Sequence, residues 1–154
     1  MDHLMDATLN EADSYVIRAP RDGTLLPDAL RGLLPSHFVV ALEATRFDSE
    51  VEQSLKPFTV VPILMIRAGT GWPKSHWLHF EARGDALRVF EDLIRRIERP
   101  VLCNHLYAYS ERDLLVQWHD AFTTDPIRVS RLLPLSLVTA FCVALAVEPP
   151  SNTR

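Results

Sequence analysis

The side chains best suited to chemistry in this chain are six histidines and two cysteines. Cys103 and His105 lie two apart in a β-prone stretch, so their side chains share a face. With His119 or Cys142 they would supply the sulfur and nitrogen ligands of a zinc site. Structural zinc sites pair their ligands in tight loops, and this sequence has no such pairs. His76 and His79 are three apart on a predicted strand and point to opposite faces. Cys103, His119 and Asp120 spell a Cys-His-Asp set. A nucleophilic thiolate needs a stabilising setting such as a helix N-terminus, and Cys103 sits mid-strand among apolar residues. The expectation is a buried structural thiol, with no catalytic centre, no metal and no cofactor. Asp22-Gly23 reads as a turn, because no glycine-rich phosphate loop follows it. Glu43, Asp48, Glu50 and Glu52 straddle a helix start, where acids favour the helix dipole.

The aromatic residues point towards recognition instead. Trp72, Trp77, Trp118, Tyr107 and Tyr109 belong to the types that dominate interface hot spots, and equally to the types that fill cores. Trp72 sits in a loop. Trp77 lies opposite the Leu78/Phe80 face of its strand. These two are the ones expected to face a partner.

The elements that must position them follow from periodicity. Residues 14–19 read as a short strand, and Arg21-Asp22-Gly23 as a turn. A helix opens at Pro27 and stops before Pro35. Residues 37–45 read as a buried strand. Ser49 and Glu52 match a capping box for a short helix ending at Pro57. Residues 58–66 are β-prone, but Pro62 cannot donate to a ladder, so they form an edge or a broken strand. Residues 67–74 are a loop. In residues 76–82, Leu78 and Phe80 share one face while Trp77, His79 and Glu81 share the other. Ala86, Leu87, Phe90, Leu93, Ile94 and Ile97 recur at helical spacing over 85–98. Residues 101–109 read as a strand. Ser110-Glu111-Arg112-Asp113 resembles a second capping box, and Leu114, Leu115, Trp118 and Phe122 favour a helix after it. The alternation of Leu114, Val116 and Trp118 also permits a strand there. Residues 126–130 read as a short strand, and a last helix carries Leu137, Val138, Phe141, Cys142 and Leu145.

Strands alternating with helices predict a single α/β domain, a mixed sheet with helices packed on it. It would span residues 14–148, between a loose acidic tail (1–13) and a loose end (149–154). At 154 residues, 47% apolar and 23% charged, the chain is long and apolar enough to bury a core. A net charge of −4, with arginines interleaved among acids, argues against a general nucleic-acid binder. The apolar runs at 58–66 and 132–147 are broken by proline or polar residues, so neither reads as a membrane span. The start is acidic and lacks the basic-then-apolar pattern of a signal peptide, which predicts a cytoplasmic protein.

The order of motifs resembles the effector adaptor (chaperone) family of bacterial type VI secretion. Tyr15-Val16-Ile17, the Arg21-Asp22-Gly23 turn and the Leu-rich helix resemble its opening. Glu50 to Leu55, with Lys56-Pro57-Phe58 and Pro62, resembles its acidic helix followed by proline and an aromatic. Gly71-Trp72 and Ser75 resemble its Gly-Trp-x-x-Ser element. Leu87, Leu93, Ile94, Arg95 and Arg96 resemble its Leu/Arg helix. Tyr109, Arg112 and Leu114 fall at the spacing of its Tyr-Asp-Pro-Arg-Val-Leu signature. Ser110, Glu111 and Asp113 depart from that signature, and Pro73 stands where a glycine is usual. The resemblance covers residues 15–122. It implies a protein that binds a secreted effector and helps load it onto the spike protein, with Trp72, Trp77, Tyr109, Arg112, Leu114 and Trp118 making or organising the contact. Two other readings are an immunity protein that neutralises a toxin and a small enzyme using Cys103 with His105 or His119.

Overall fold

The alternation of side chains along the strands divides the molecule into two unlike halves. The computed structural model describes residues 6–99 and 101–150. Strands β1 (Ser14–Ile17), β2 (Val39–Ala44), β3 (His76–Glu81), β4 (His105–Ser110), β5 (Asp113–Trp118) and β6 (Ile127–Ser130) form one sheet. Their order is β1-β6-β5-β4-β2-β3. The expected α/β domain is present, with a sheet that is antiparallel between all its strands rather than mixed. Neighbouring strands are joined by a tight turn or by excursions that return antiparallel, so no parallel crossover arises.

One face collects Ile17, Val40, Leu42, Leu78, Phe80, Leu106, Ala108, Val116, Trp118, Ile127 and Val129 into the main core. Four helices cover it: α1 (Leu26–Leu33), α2 (Ser49–Leu55), α3 (Ala86–Arg96) and α4 (Leu135–Ala144). Helix α3 shows how pattern becomes packing. Ala86, Leu87, Phe90 and Leu93 are buried, and the Phe90 ring meets Phe80 of the sheet edge-on at 5.3 Å. Its outer face carries the exposed pairs Arg88–Asp85, Arg95–Glu91 and Arg96–Asp92. Each such pair contributes only about 0.3–0.5 kcal/mol. Burial of the stripe, not the charge, holds the helix.

Three local expectations are corrected. Helix α2 is capped by Asp48, whose carboxylate accepts the Glu50 N–H at 2.8 Å, and not by Ser49. An ionised carboxylate is the stronger acceptor there. Residues 113–118 are a strand, not a helix. Ser110 to Asp113 closes a hairpin in which Glu111 takes a positive φ of 54°, and β5 finds ladder partners on both sides. Pairing between two neighbours overrides the local helical spacing. A register shift at Ala108/Tyr109 then sets Leu114 opposite Tyr109. Residues 58–66 form no strand; their backbone makes isolated bridges, Thr59 to Phe80 and Ala7 to Ile66, while Leu64 and Ile66 pack into the sheet's second face.

The supposed loose start is also partly ordered. The Gln117 side chain donates to the Leu9 carbonyl at 3.1 Å and accepts from the Leu9 N–H at 2.9 Å. The Ala7 N–H donates to Met65 and the Ala7 carbonyl accepts from Arg67. Residues 1–5 and 151–154 of the expected tails lie outside the described residues. Among the described residues no helix is long and apolar enough to cross a membrane.

Replacing Phe90 with alanine empties the centre of the α3–sheet contact. Urea denaturation of Phe90→Ala should show a loss of about 3–5 kcal/mol.

Candidate interaction surface over a buried carboxylate

The second face of the sheet is polar and aromatic. It carries Glu43 of β2, Trp77 and His79 of β3, His105, Tyr107 and Tyr109 of β4, and Gln117 of β5. Glu43 has no exposed surface, and a buried carboxylate requires donors. Four converge on it. The Gly69 N–H (2.9 Å) and the Tyr107 hydroxyl (2.7 Å) donate to Oε1. The Thr70 N–H (3.1 Å) and the Ser75 hydroxyl (2.6 Å) donate to Oε2. Burial, reinforced by the Glu43 charge, pushes the Tyr107 phenol far above its ordinary range, so it stays a donor.

His105 fixes the same loop from the side. Its Nδ1 accepts the Asp120 N–H at 2.9 Å. The ring proton therefore resides on Nε2, which donates to the Thr70 hydroxyl at 2.7 Å. Gly69 lies flat on this ring, and a Cβ added there would come within 2.7 Å of His105 Cδ2. Only glycine allows so close an approach. Trp77 packs on Tyr107 at 5.5 Å and on His79 at 5.9 Å. His79 Nδ1 bonds the Tyr109 hydroxyl at 2.9 Å, and burial lowers the His79 pKa to about 4. Leu9, Ala41, Ile66, Tyr107, Tyr109 and Leu114 complete a second, smaller core.

Over this buried layer, residues 59–75 present apolar side chains to solvent. Val61 is 84% exposed, Ile63 57%, Met65 64% and Trp72 87%. Val61, Ile63 and Met65 lie on one irregular stretch that bends at Leu64, and all three side chains point into solvent.

The six residues expected to make the contact separate in the structure. Trp72 stands exposed in the glycine- and proline-containing loop, and Arg112 is exposed in the β4–β5 turn. Trp77 is half-buried beneath the loop. Tyr109, Leu114 and Trp118 are buried and present no surface to a partner. Tyr109 and Leu114 face each other in the small core. Trp118 belongs to the helix-side core, where Nε1 donates to the Asp125 carbonyl at 2.7 Å and the ring packs on Phe122. The surface instead recruits Val61, Ile63 and Met65. Their sequence signal was an apolar run that Pro62 bars from a sheet interior.

The nucleophile set is dispersed. Cys103 packs in the helix-side core, and burial pushes its thiol up to about 12. A thiol held protonated is a poor nucleophile. His105 and His119 stack edge-on at 5.2 Å, and burial, aided by His105, lowers the His119 pKa. Among the described residues no three His, Cys, Asp or Glu side chains are grouped to hold a metal. In comparisons with family models, curated proteins and solved structures, nothing matches this chain.

Two outcomes follow from this geometry. Glu43→Gln turns two acceptor oxygens into one acceptor and one donor group facing other donors, which should cost about 3 kcal/mol. Hydrogen exchange should show lost protection at Gly69 and Thr70 before the helix-side core is affected. The second concerns pH. His79 is neutral in the folded state down to about 4, whereas an unfolded histidine takes a proton near 6.5. The unfolded chain therefore binds more protons between these values. The contribution is complete above about pH 6.5 and is lost as pH falls towards 4. Thermal melting from pH 7.5 to 4 should fall, and His79→Asn should flatten the part of that slope between pH 6.5 and 5.

Proposed function

We propose that this protein is a cytoplasmic adaptor, a chaperone that binds a type VI secretion effector and assists its loading onto the spike protein. The observation that carries the reading is the set of exposed apolar side chains Val61, Ile63, Met65 and Trp72, on an excursion that Gly69 and Thr70 tie to a buried carboxylate. Single exposed apolar groups need no explanation, but four large ones on one anchored excursion point to a recognition surface. Anchoring lowers the entropy that binding must overcome. The motif order from residue 15 to residue 122 supplies the choice of partner, and Gly71-Trp72 and Ser75 belong to both arguments. Ser75 bonds Glu43 and Trp72 is the exposed anchor. The contact would bury apolar surface of the effector and shield it until delivery.

Affinity capture from the native host, with wild-type protein beside Trp72→Ala and Ile63→Asp, tests the reading. The expected result is co-purification of a large effector with a spike protein, reduced at least tenfold by each variant while thermal melting stays within a few degrees. Hot-spot truncation of this kind removes about 2 kcal/mol or more of binding energy. Capture of one small toxin, with its activity silenced, would replace the adaptor by an immunity protein. Capture that both variants leave intact would move the contact to another face.

A further inference from the structure

We propose that the outer edge of β1 is a second docking site, which takes an extended acidic segment of a protein partner as an added strand. The inference does not rest on the adaptor reading. β1 is the terminal strand of the sheet and pairs only with β6. Among the described residues, no backbone group of Ser14, Tyr15, Val16 or Ile17 is bonded to anything on its other side. An open edge is a template for an incoming strand. Val16 offers it a half-exposed apolar side chain, 46% accessible.

Charge decides which strand. On the helices, Arg31, Arg88, Arg95 and Arg96 each have a carboxylate within 3.0 Å. Around β1 the pattern reverses. Arg18, Arg21, Arg128 and Arg131 have no carboxylate within ion-pair distance among the described residues. Arg18 follows the strand directly. Arg131 lies over the Tyr15 ring at 4.4 Å. Arg128 pairs with Val16 across the ladder, and its Nη1 is buried without a hydrogen-bond partner. Arg18 and Arg21 line an open groove of about 740 Å³ at the end of the strand, floored by Ala19, Leu25, Leu145 and Val147. The acids nearby, Asp13, Asp22 and Glu148, share surface grooves with these arginines, but none lies within ion-pair distance of an arginine among the described residues. Asp22 is committed to the Thr24 hydroxyl and N–H at 2.6 and 3.0 Å, and Glu148 lies on the groove rim. Asp13 precedes the strand and is exposed. A single arginine would serve as an edge guard against aggregation. Three exposed ones without an ion-pair partner, Arg18, Arg21 and Arg131, repel a second copy of the same edge and favour an acidic segment, while Arg128 is turned into the sheet's polar face.

Fluorescence anisotropy with a labelled heptapeptide of alternating Val and Glu, against its Val/Lys counterpart, tests this. The Glu peptide should bind and the Lys peptide should not, with affinity falling as salt rises. Hydrogen exchange should show new protection confined to residues 14–17. Arg18→Glu/Arg131→Glu, a change of exposed side chains, should reduce affinity at least tenfold. Val16→Pro should do the same if it folds, and Arg88→Glu on α3 should leave the peptide affinity unchanged. Equal binding of the two peptides, binding of neither, protection elsewhere, or affinity that survives the arginine exchange would overturn the proposal.

Discussion

The Glu43 carboxylate is the constraint on which the sheet's second face depends. A carboxylate with no exposed surface is tolerated only when its oxygens are fully engaged. Here the donors come from three separate places: the loop at Gly69 and Thr70, the approach to β3 at Ser75, and β4 at Tyr107. One side chain therefore ties a long excursion to the centre of the sheet. His105 repeats the arrangement one step along, holding Thr70 on one nitrogen and the Asp120 amide on the other. Without these bonds, residues 67–75 would have little reason to lie where they do.

The same chemistry explains why the two faces are covered differently. The face of Leu42, Phe80, Leu106 and Val116 needs only apolar surface, and helices supply that from side chains while keeping their backbone bonds internal. The face of Glu43, His105, Tyr107 and Gln117 needs donors and acceptors. Irregular segments provide them from the backbone: N–H groups at Gly69 and Thr70, and the N–H and carbonyl of Leu9. A helix packed there would leave the buried carboxylate to be satisfied by side chains alone. A polar sheet face thus selects a loop as its cover, and the loop's outward side chains become surface.

Much of the scaffold was legible because periodicity is local. The stripe of Ala86, Leu87, Phe90 and Leu93 and the alternation of Trp77, Leu78, His79 and Phe80 each carry enough residues to fix both type and facing. Residues 113–118 were not legible, since Leu114, Val116 and Trp118 satisfy both periods and only β4 and β6 decide between them. The same decision withdrew Tyr109, Leu114 and Trp118 from the expected contact surface. Trp72 was legible as a loop residue. Glu43 was not, because nothing near it in sequence announces donors that arrive 26 to 64 residues later. An acid in an apolar run reads as a helix-start charge until the fold supplies its partners.

The sheet also sets how the two proposed surfaces relate. β1 and β3 are its outermost strands, separated by five strand spacings, or about 24 Å. Residues 59–60 leave from the outer edge of β3, where Thr59 bridges Phe80 and the Val60 N–H donates to His79. The exposed side chains of Val61, Ile63 and Met65 follow from there, while the unpaired arginines gather around β1. One set is apolar and the other basic, so a ligand that fits one gains little from the other. The strands between them are largely buried and joined in one continuous sheet, although β5 and β6 share only two residue pairs. Contacts this far apart contribute independently to binding. A partner long enough to reach both edges would gain by effective concentration rather than by a change of shape.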